Sequence, residues 1–331
     1  MKRSKASLLA TTVLASVLAV TLAAPASADS TPQPRDIVGG GSDTTQFAMN
    51  YLADGAGSSP GYNFTANSRL VSFDAITPDG LTHNTITLKA GSAPITRPNG
   101  STEGKALLFG ATNNTNANYA RSSSSLSQAE IDGGLYLVPF AKDGIELAVR
   151  AAGHNAPAII TPTQMVGIYS GTITNWSTIG GTAGVIVPMI PQTGSGTRVT
   201  FEAQLKSANG GTAVVLAGTV VEVQEHDPAP IAANANAVAP FSTGRASFAP
   251  SVSLIEGTGS WKYTRALYNV VRSADRTASS FGPVFGSNGW ICSGSGKTLI
   301  EAAGFQQLAG PLDGGVCGVA TQAATTNFAV N

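Results

Sequence analysis

Three short segments rich in glycine and hydroxyl residues, GGGSDTT (39–45), PNGSTEG (98–104) and QTGSGTR (192–198), each stand at the mouth of a helix-like pattern. Apolar runs too short for helices precede or separate them: Ile37-Val38, GLYLVPFA (134–141) and AGVIVPMIP (183–191). After the first loop, Phe47/Tyr51 and Ala48/Leu52 recur at i,i+4, with Ser42 or Asp43 as the expected N-cap. TPTQMVGIYSG supplies Thr161 as cap, Pro162 at the first helical position and Gly171 as stop. Strands alternating with helices predict an α/β fold, with parallel pairing in part of the sheet.

A helix N-terminus leaves backbone N–H groups unpaired and carries partial positive charge. Glycine lets that backbone approach a ligand closely, and Ser and Thr hydroxyls add donors. Such a mouth can cradle an oxyanion. One such loop reads equally well as an ordinary capped turn. Three of them, with Arg121 and Arg198 nearby, point to a shared site.

The chain of 331 residues is long enough for one large domain or two ordinary ones. Its N-terminus reads as an export signal. Lys2, Arg3 and Lys5 precede an apolar stretch from Ala6 to Ala24, and Ala26-Ser27-Ala28 offers a small-residue cleavage site. A retained membrane helix is the alternative, disfavoured by Pro25 and the small residues after it. Removal of residues 1–28 takes away three basic residues and leaves 16 basic against 19 acidic, a net charge of −3. No cysteine stands at the cleavage site to carry a lipid, so a secreted, extracytoplasmic protein is expected. Charged residues are 11% of the chain, below the roughly 25% usual in soluble proteins, and give no basic field for nucleic acid.

The two cysteines, Cys292 and Cys317, favour one disulfide in an exported chain. His83, His154 and His226 are scattered without ligand spacing, so no metal or other cofactor is expected. Glu225-His226-Asp227 is the nearest approach to an acid–base cluster, but a solvated polar turn before Pro228 is the favoured reading. CSGSGKT (292–298) imitates a nucleotide loop, but Ile291 stands where its first glycine is required. No G-x-S-x-G elbow is present for a serine hydrolase.

The stretch MVGIYSGTITNWSTIGG (165–181), followed by VIVPMIPQTGSGTRVTFEAQL (185–205), resembles the signature region of phosphate-binding proteins that serve ABC importers. The order of the other segments is also similar over roughly residues 36–320, including ANYARSSSSL (117–126) and LYLVPFAKDGI (135–145). The resemblance implies a two-lobed, type II periplasmic-binding-protein fold with a ligand cleft between the lobes. A lead-in of 29–35 would precede lobe I, formed by 36–138 and 265–331. Lobe II would be 139–264, with the chain crossing near LVPFAKDG and RALYNVV. Ser195, Gly196 and Thr197 match the family's phosphate donors and Ser101 or Thr102 its second-loop serine, while Asp43 and Thr44 fall where the family has a threonine and a following amide donor.

Two positions depart from that pattern. Ser123, beside Ser122, stands where the family has an aspartate that accepts the ligand's proton, and Pro191 stands where it has an arginine. The expectation is that charge has been relocated, with Asp43 accepting the proton and Arg121 and Arg198 offsetting ligand charge. An Asp43–arginine salt bridge closing a repurposed cleft is the alternative. The expected function is that of a monomeric, non-enzymatic solute-binding protein taking a small oxyanion, phosphate first, for an ABC permease. A secreted phosphatase-like hydrolase and a surface protein with a vestigial cleft are the rivals.

Overall fold

A computed structural model of the protein describes residues 31–331; the predicted export signal and its cleavage site lie outside the described residues. The strands that position the site are β1 (Ile37–Gly41), β2 (Leu70–Ser72), β3 (Tyr119–Ser122), β4 (Leu135–Arg150), β5 (Val187–Pro191), β6 (Val221–Val223), β7 (Ala237–Ser242), β8 (Val252–Leu254), β9 (Lys262–Arg272) and β10 (Gln306–Gln307). They form one sheet in the order β6-β5-β7-β4-β9-β3-β1-β2, with β8 and β10 also pairing with β4. Pairing is parallel at the two ends, where β1 joins β2 and β3, and β5 joins β6 and β7. In the middle it is antiparallel, and β9 follows β4 from Lys262↔Glu146 to Arg272↔Leu135 with a register shift at Leu267/Tyr268.

The long pair β4–β9 runs through three apolar clusters. One core draws on residues 37–141 and 266–317, with Leu52, Leu70, Leu137 and Val270 fully buried. Residues 145–261 supply two further clusters, the larger built around Trp176, Phe201 and Trp261. Trp176 is therefore a core residue, completely buried, and its indole N–H donates to the carbonyl of Asn236. A helix set against a parallel strand pair must bury one apolar stripe, and each half does so on its own side of the crossover.

Local chemistry explains the helices that matter. Helix α1 spans Gln46–Asp54, α2 Ser101–Ala106, α3 Pro162–Ser170, α4 Gly196–Ala208 and α5 Gly294–Ala302. Thr161 caps α3 in a reciprocal box with Gln164, and Gly171 ends it in the left-handed region at φ 79°. Ser195 caps α4 by accepting from the Arg198 amide, and Ser293 caps α5. The nucleotide-loop look-alike is thus an ordinary capped helix start. Helix α1 differs from expectation: its N-cap is Thr45 rather than Ser42 or Asp43, because those two side chains are engaged elsewhere.

Cys292 and Cys317 form a disulfide with a Cα–Cα separation of 5.8 Å, closing 25 residues of sequence. Reducing the loop entropy of the unfolded chain in this way is worth about 3 kcal/mol. Replacing both cysteines with serine is expected to lower unfolding stability by about that amount, read from the urea midpoint. Among the described residues, no helix is long and apolar enough to cross a membrane.

Candidate functional site

Five hydroxyls from distant parts of the chain meet where the two halves face each other. Ser42 and Thr44 follow β1, Ser101 opens α2, Ser123 follows β3, and Thr197 sits in the first turn of α4. All are completely buried. The hydroxyls of Ser42 and Thr44 each lie 3.1 Å from Ser123 Oγ, and Thr44 Oγ1 is 3.4 Å from Thr197 Oγ1. The Ser101 hydroxyl accepts from the Ser123 amide at 3.0 Å. Gly196 completes the arrangement by staying small: a Cβ there would fall 2.3 Å from Ser101 Oγ and 2.4 Å from Ser123 Oγ.

Two charged groups enter this cluster, and neither was expected from sequence. Arg265, on β9, donates through Nη2 to Thr197 Oγ1 at 3.0 Å and to Thr44 Oγ1 at 3.3 Å, and through Nη1 to the Ser123 carbonyl at 3.1 Å. Asp143, on β4, anchors it with contacts of 3.0 Å to Nε and 2.9 Å to Nη2. Asp143 in turn accepts from the Ser242 hydroxyl at 2.7 Å. The second group is Glu225. Its Oε1 accepts from the Thr44 hydroxyl at 3.1 Å and from the Thr197 amide at 3.2 Å, so a carboxylate lies against the first turn of α4.

The remaining sequence candidates divide between this cluster and other work. Ser195 serves as the α4 cap, and the Thr102 amide donates across the halves to the Gly194 carbonyl while its side chain is exposed. Ser122 donates to the carbonyl of Ser124. Arg121 is buried beneath the first loop, donating to the carbonyls of Ser42 and Phe73 and to the Ser72 hydroxyl. Arg198 reaches the partly exposed Glu202 and Glu222. Asp43 turns away from the hydroxyls to His226 Nδ1 at 2.8 Å, with Arg245 Nη2 at 3.5 Å. The structure therefore does not bring Asp43, Arg121 or Arg198 to the hydroxyl cluster.

Glu225-His226-Asp227 is not a solvated turn. Glu225 is fully buried, and the His226 side chain is only 1 % exposed. His226 takes the left-handed region at φ 56°, which lets both side chains turn inward from adjacent positions. A cavity of ≈ 670 Å³ adjoins this corner, lined by Phe47, Asp74 and Arg245 among others.

Burial pushes the Asp43 carboxyl up, but the charge of Arg245 and the bond to His226 outweigh it and hold it below the ordinary 3.8. A carboxyl depressed in the folded state contributes stability that is complete above its unfolded value and fades as pH falls through the folded one. The stability difference between wild type and Asp43→Asn is expected to be flat near neutrality and to shrink below pH 3.8. Denaturant midpoints measured down to about pH 3 check this.

The sequence profile of the PBP superfamily domain matches residues 25–327, nearly the whole chain. The chain belongs to the PBP superfamily. No protein of curated function matches it by sequence. Solved structures similar to this PBP-superfamily chain include a putative phosphate ABC transporter substrate-binding protein from Clostridium perfringens with bound phosphate. It shares 18% identity at a TM-score of 0.60, with 82% of this chain and 99% of that one covered. An ABC-type phosphate transport receptor from Vibrio cholerae gives 23% identity and a TM-score of 0.56 over the same shares, 82% and 99%. A phosphate-binding protein from Stenotrophomonas maltophilia gives 15% and 0.51 over 82% and 90%. The shared architecture is the mixed α/β, type II periplasmic-binding-protein fold.

Proposed function

We propose that this protein captures a small oxyanion, inorganic phosphate first, by closing two lobes on it for ABC-type uptake outside the cytoplasm. The lobes are residues 36–138 with 265–331, and residues 139–264. The observation that carries this reading is the convergence of Thr44, Ser101, Ser123 and Thr197 from both halves around one buried point, with Arg265 beside it. Hydroxyls that bond one another can rotate to donate to an anion held at this point. Ligand contacts made by both lobes at once favour the closed arrangement over the open one.

Charge is supplied by Arg265, whose guanidinium already points at Thr44 and Thr197. Glu225 is the acceptor for a proton on the ligand. A fully ionised anion such as sulfate has no proton to give, and meets the carboxylate as a like charge. Glu225 and Arg265 thus fill the roles that sequence assigned to Asp43, Arg121 and Arg198. An ABC permease is the partner this activity requires, and the protein acts as a monomer.

Calorimetry of the protein from residue 29 onward with phosphate, arsenate, sulfate and sugars tests the proposal. One-to-one binding of phosphate and arsenate is expected, with sulfate at least about tenfold weaker, a difference of about 1.4 kcal/mol. Glu225→Gln is expected to narrow the gap between phosphate and sulfate. Absence of phosphate binding, or equal affinity for sulfate in the wild type, overturns it.

A further inference from the structure

Asp43, Glu225 and His226 form a buried cluster that the oxyanion site does not account for. Each brings one carboxylate oxygen or ring nitrogen within 4.8 Å of the others. Asp43 Oδ2, Glu225 Oε2 and His226 Nε2 are all buried without a hydrogen-bond partner, and so is Arg245 Nη1. The nearest guanidinium, Arg245, keeps Nη2 3.5 Å from Asp43 Oδ1, beyond hydrogen-bond distance. Buried carboxylate oxygens without donors are costly and call for a partner.

We propose that Asp43, Glu225 and His226 bind a divalent transition ion of the zinc class. Imidazole with carboxylates suits zinc and its neighbours rather than magnesium or calcium, which prefer oxygen alone. Bonds of about 2.0–2.2 Å place tetrahedral ligands about 3.4 Å apart, so small rotations of these side chains close the shell. Three protein ligands leave a fourth position toward the adjoining cavity.

Glu225 links this site to the oxyanion cluster. Its Oε1 lies against Thr44 and the Thr197 amide, while Oε2 is the atom left for the ion. A cation on Oε2 offsets the charge that an incoming anion would meet, so each occupant is expected to tighten the other. This linkage rests on the proposed oxyanion site, whereas the metal site itself does not.

The test begins with chelator-treated protein from residue 29 onward in phosphate-free buffer, titrated with ZnCl2 by calorimetry and with Co2+ by visible absorption. One equivalent is expected to bind, with cobalt bands of a low-coordinate nitrogen–oxygen shell. His226→Ala and Asp43→Asn are each expected to weaken binding at least tenfold while retaining wild-type circular dichroism. His83→Ala, at the exposed pair with Glu103, is expected to leave it unchanged. No saturable binding to the wild type overturns the site, as does loss of binding in His83→Ala or its persistence in His226→Ala. Phosphate affinity is then compared with and without equimolar zinc at micromolar concentration. At least a fivefold gain is expected. Zinc binding without any change in phosphate affinity overturns the shared role of Glu225, and zinc binding without phosphate binding overturns the oxyanion reading alone.

Discussion

Replacing Arg265 with alanine is expected to destabilise the protein by about 3–5 kcal/mol and to abolish phosphate binding. The guanidinium is 4 % exposed and its Asp143 partner is fully enclosed, so the change strands a carboxylate in the interior. It also removes the donor shared by Thr44, Thr197 and the Ser123 carbonyl. Stability and affinity can be separated with two further variants. Arg265→Lys keeps the charge without the planar fork, and is expected to stay folded while binding phosphate more weakly. Arg265→Ala with Asp143→Ala is expected to recover part of the lost stability and none of the binding. Urea unfolding and calorimetry on the set decide the matter. A single Arg265→Ala variant within about 0.5 kcal/mol of wild type would mean that the pair is not buried as described.

Gly100→Ala is expected to reduce phosphate affinity by at least about tenfold, through closure rather than contact with the ligand. A Cβ at Gly100 would lie 2.5 Å from the Gly194 carbonyl oxygen and 3.1 Å from the Ser195 amide nitrogen. Both are backbone atoms on the opposite half, so neither can rotate aside. Gly100 also sits at φ 131°, where side chains are rarely tolerated. Gly57 is a suitable control, since it has a positive φ of 57° and open space around it. Gly57→Ala carries backbone strain with no clash across the cleft, and phosphate affinity should be retained. Small-angle scattering with saturating phosphate adds a direct readout, because Gly100→Ala should keep the larger, open dimension. Equal affinity in Gly100→Ala and wild type would remove closure from the mechanism.

The loops at the helix mouths were legible because their chemistry is local. Ser195 caps α4 and Thr161 caps α3 through bonds to amides three residues away, which any reading of spacing can find. Helix α1 starts later than its sequence predicts for a long-range reason: Ser42 and Asp43 have the right shapes for caps, but tertiary partners claim both. Arg121 and Arg198 stand close in sequence to the cleft loops. The folded chain sends the first beneath the loop to satisfy carbonyls and the second outward to Glu202 and Glu222. Glu225 and His226 read as a surface turn because three polar residues before a proline look like one, and nothing nearby in sequence signals burial.

The order of residues alone determined that this chain is α/β, that helix starts would be rich in free donors, and that its two cysteines could pair. Those properties depend on backbone propensity and short-range hydrogen bonding, which a linear sequence carries directly. Only the tertiary structure decided which charges reach the hydroxyls. Thr44 meets Glu225 across 181 positions and Arg265 across 221, and Asp43 meets His226 across 183. Contacts of that span depend on sheet order and on the direction each side chain takes from its strand, and residue spacing encodes neither.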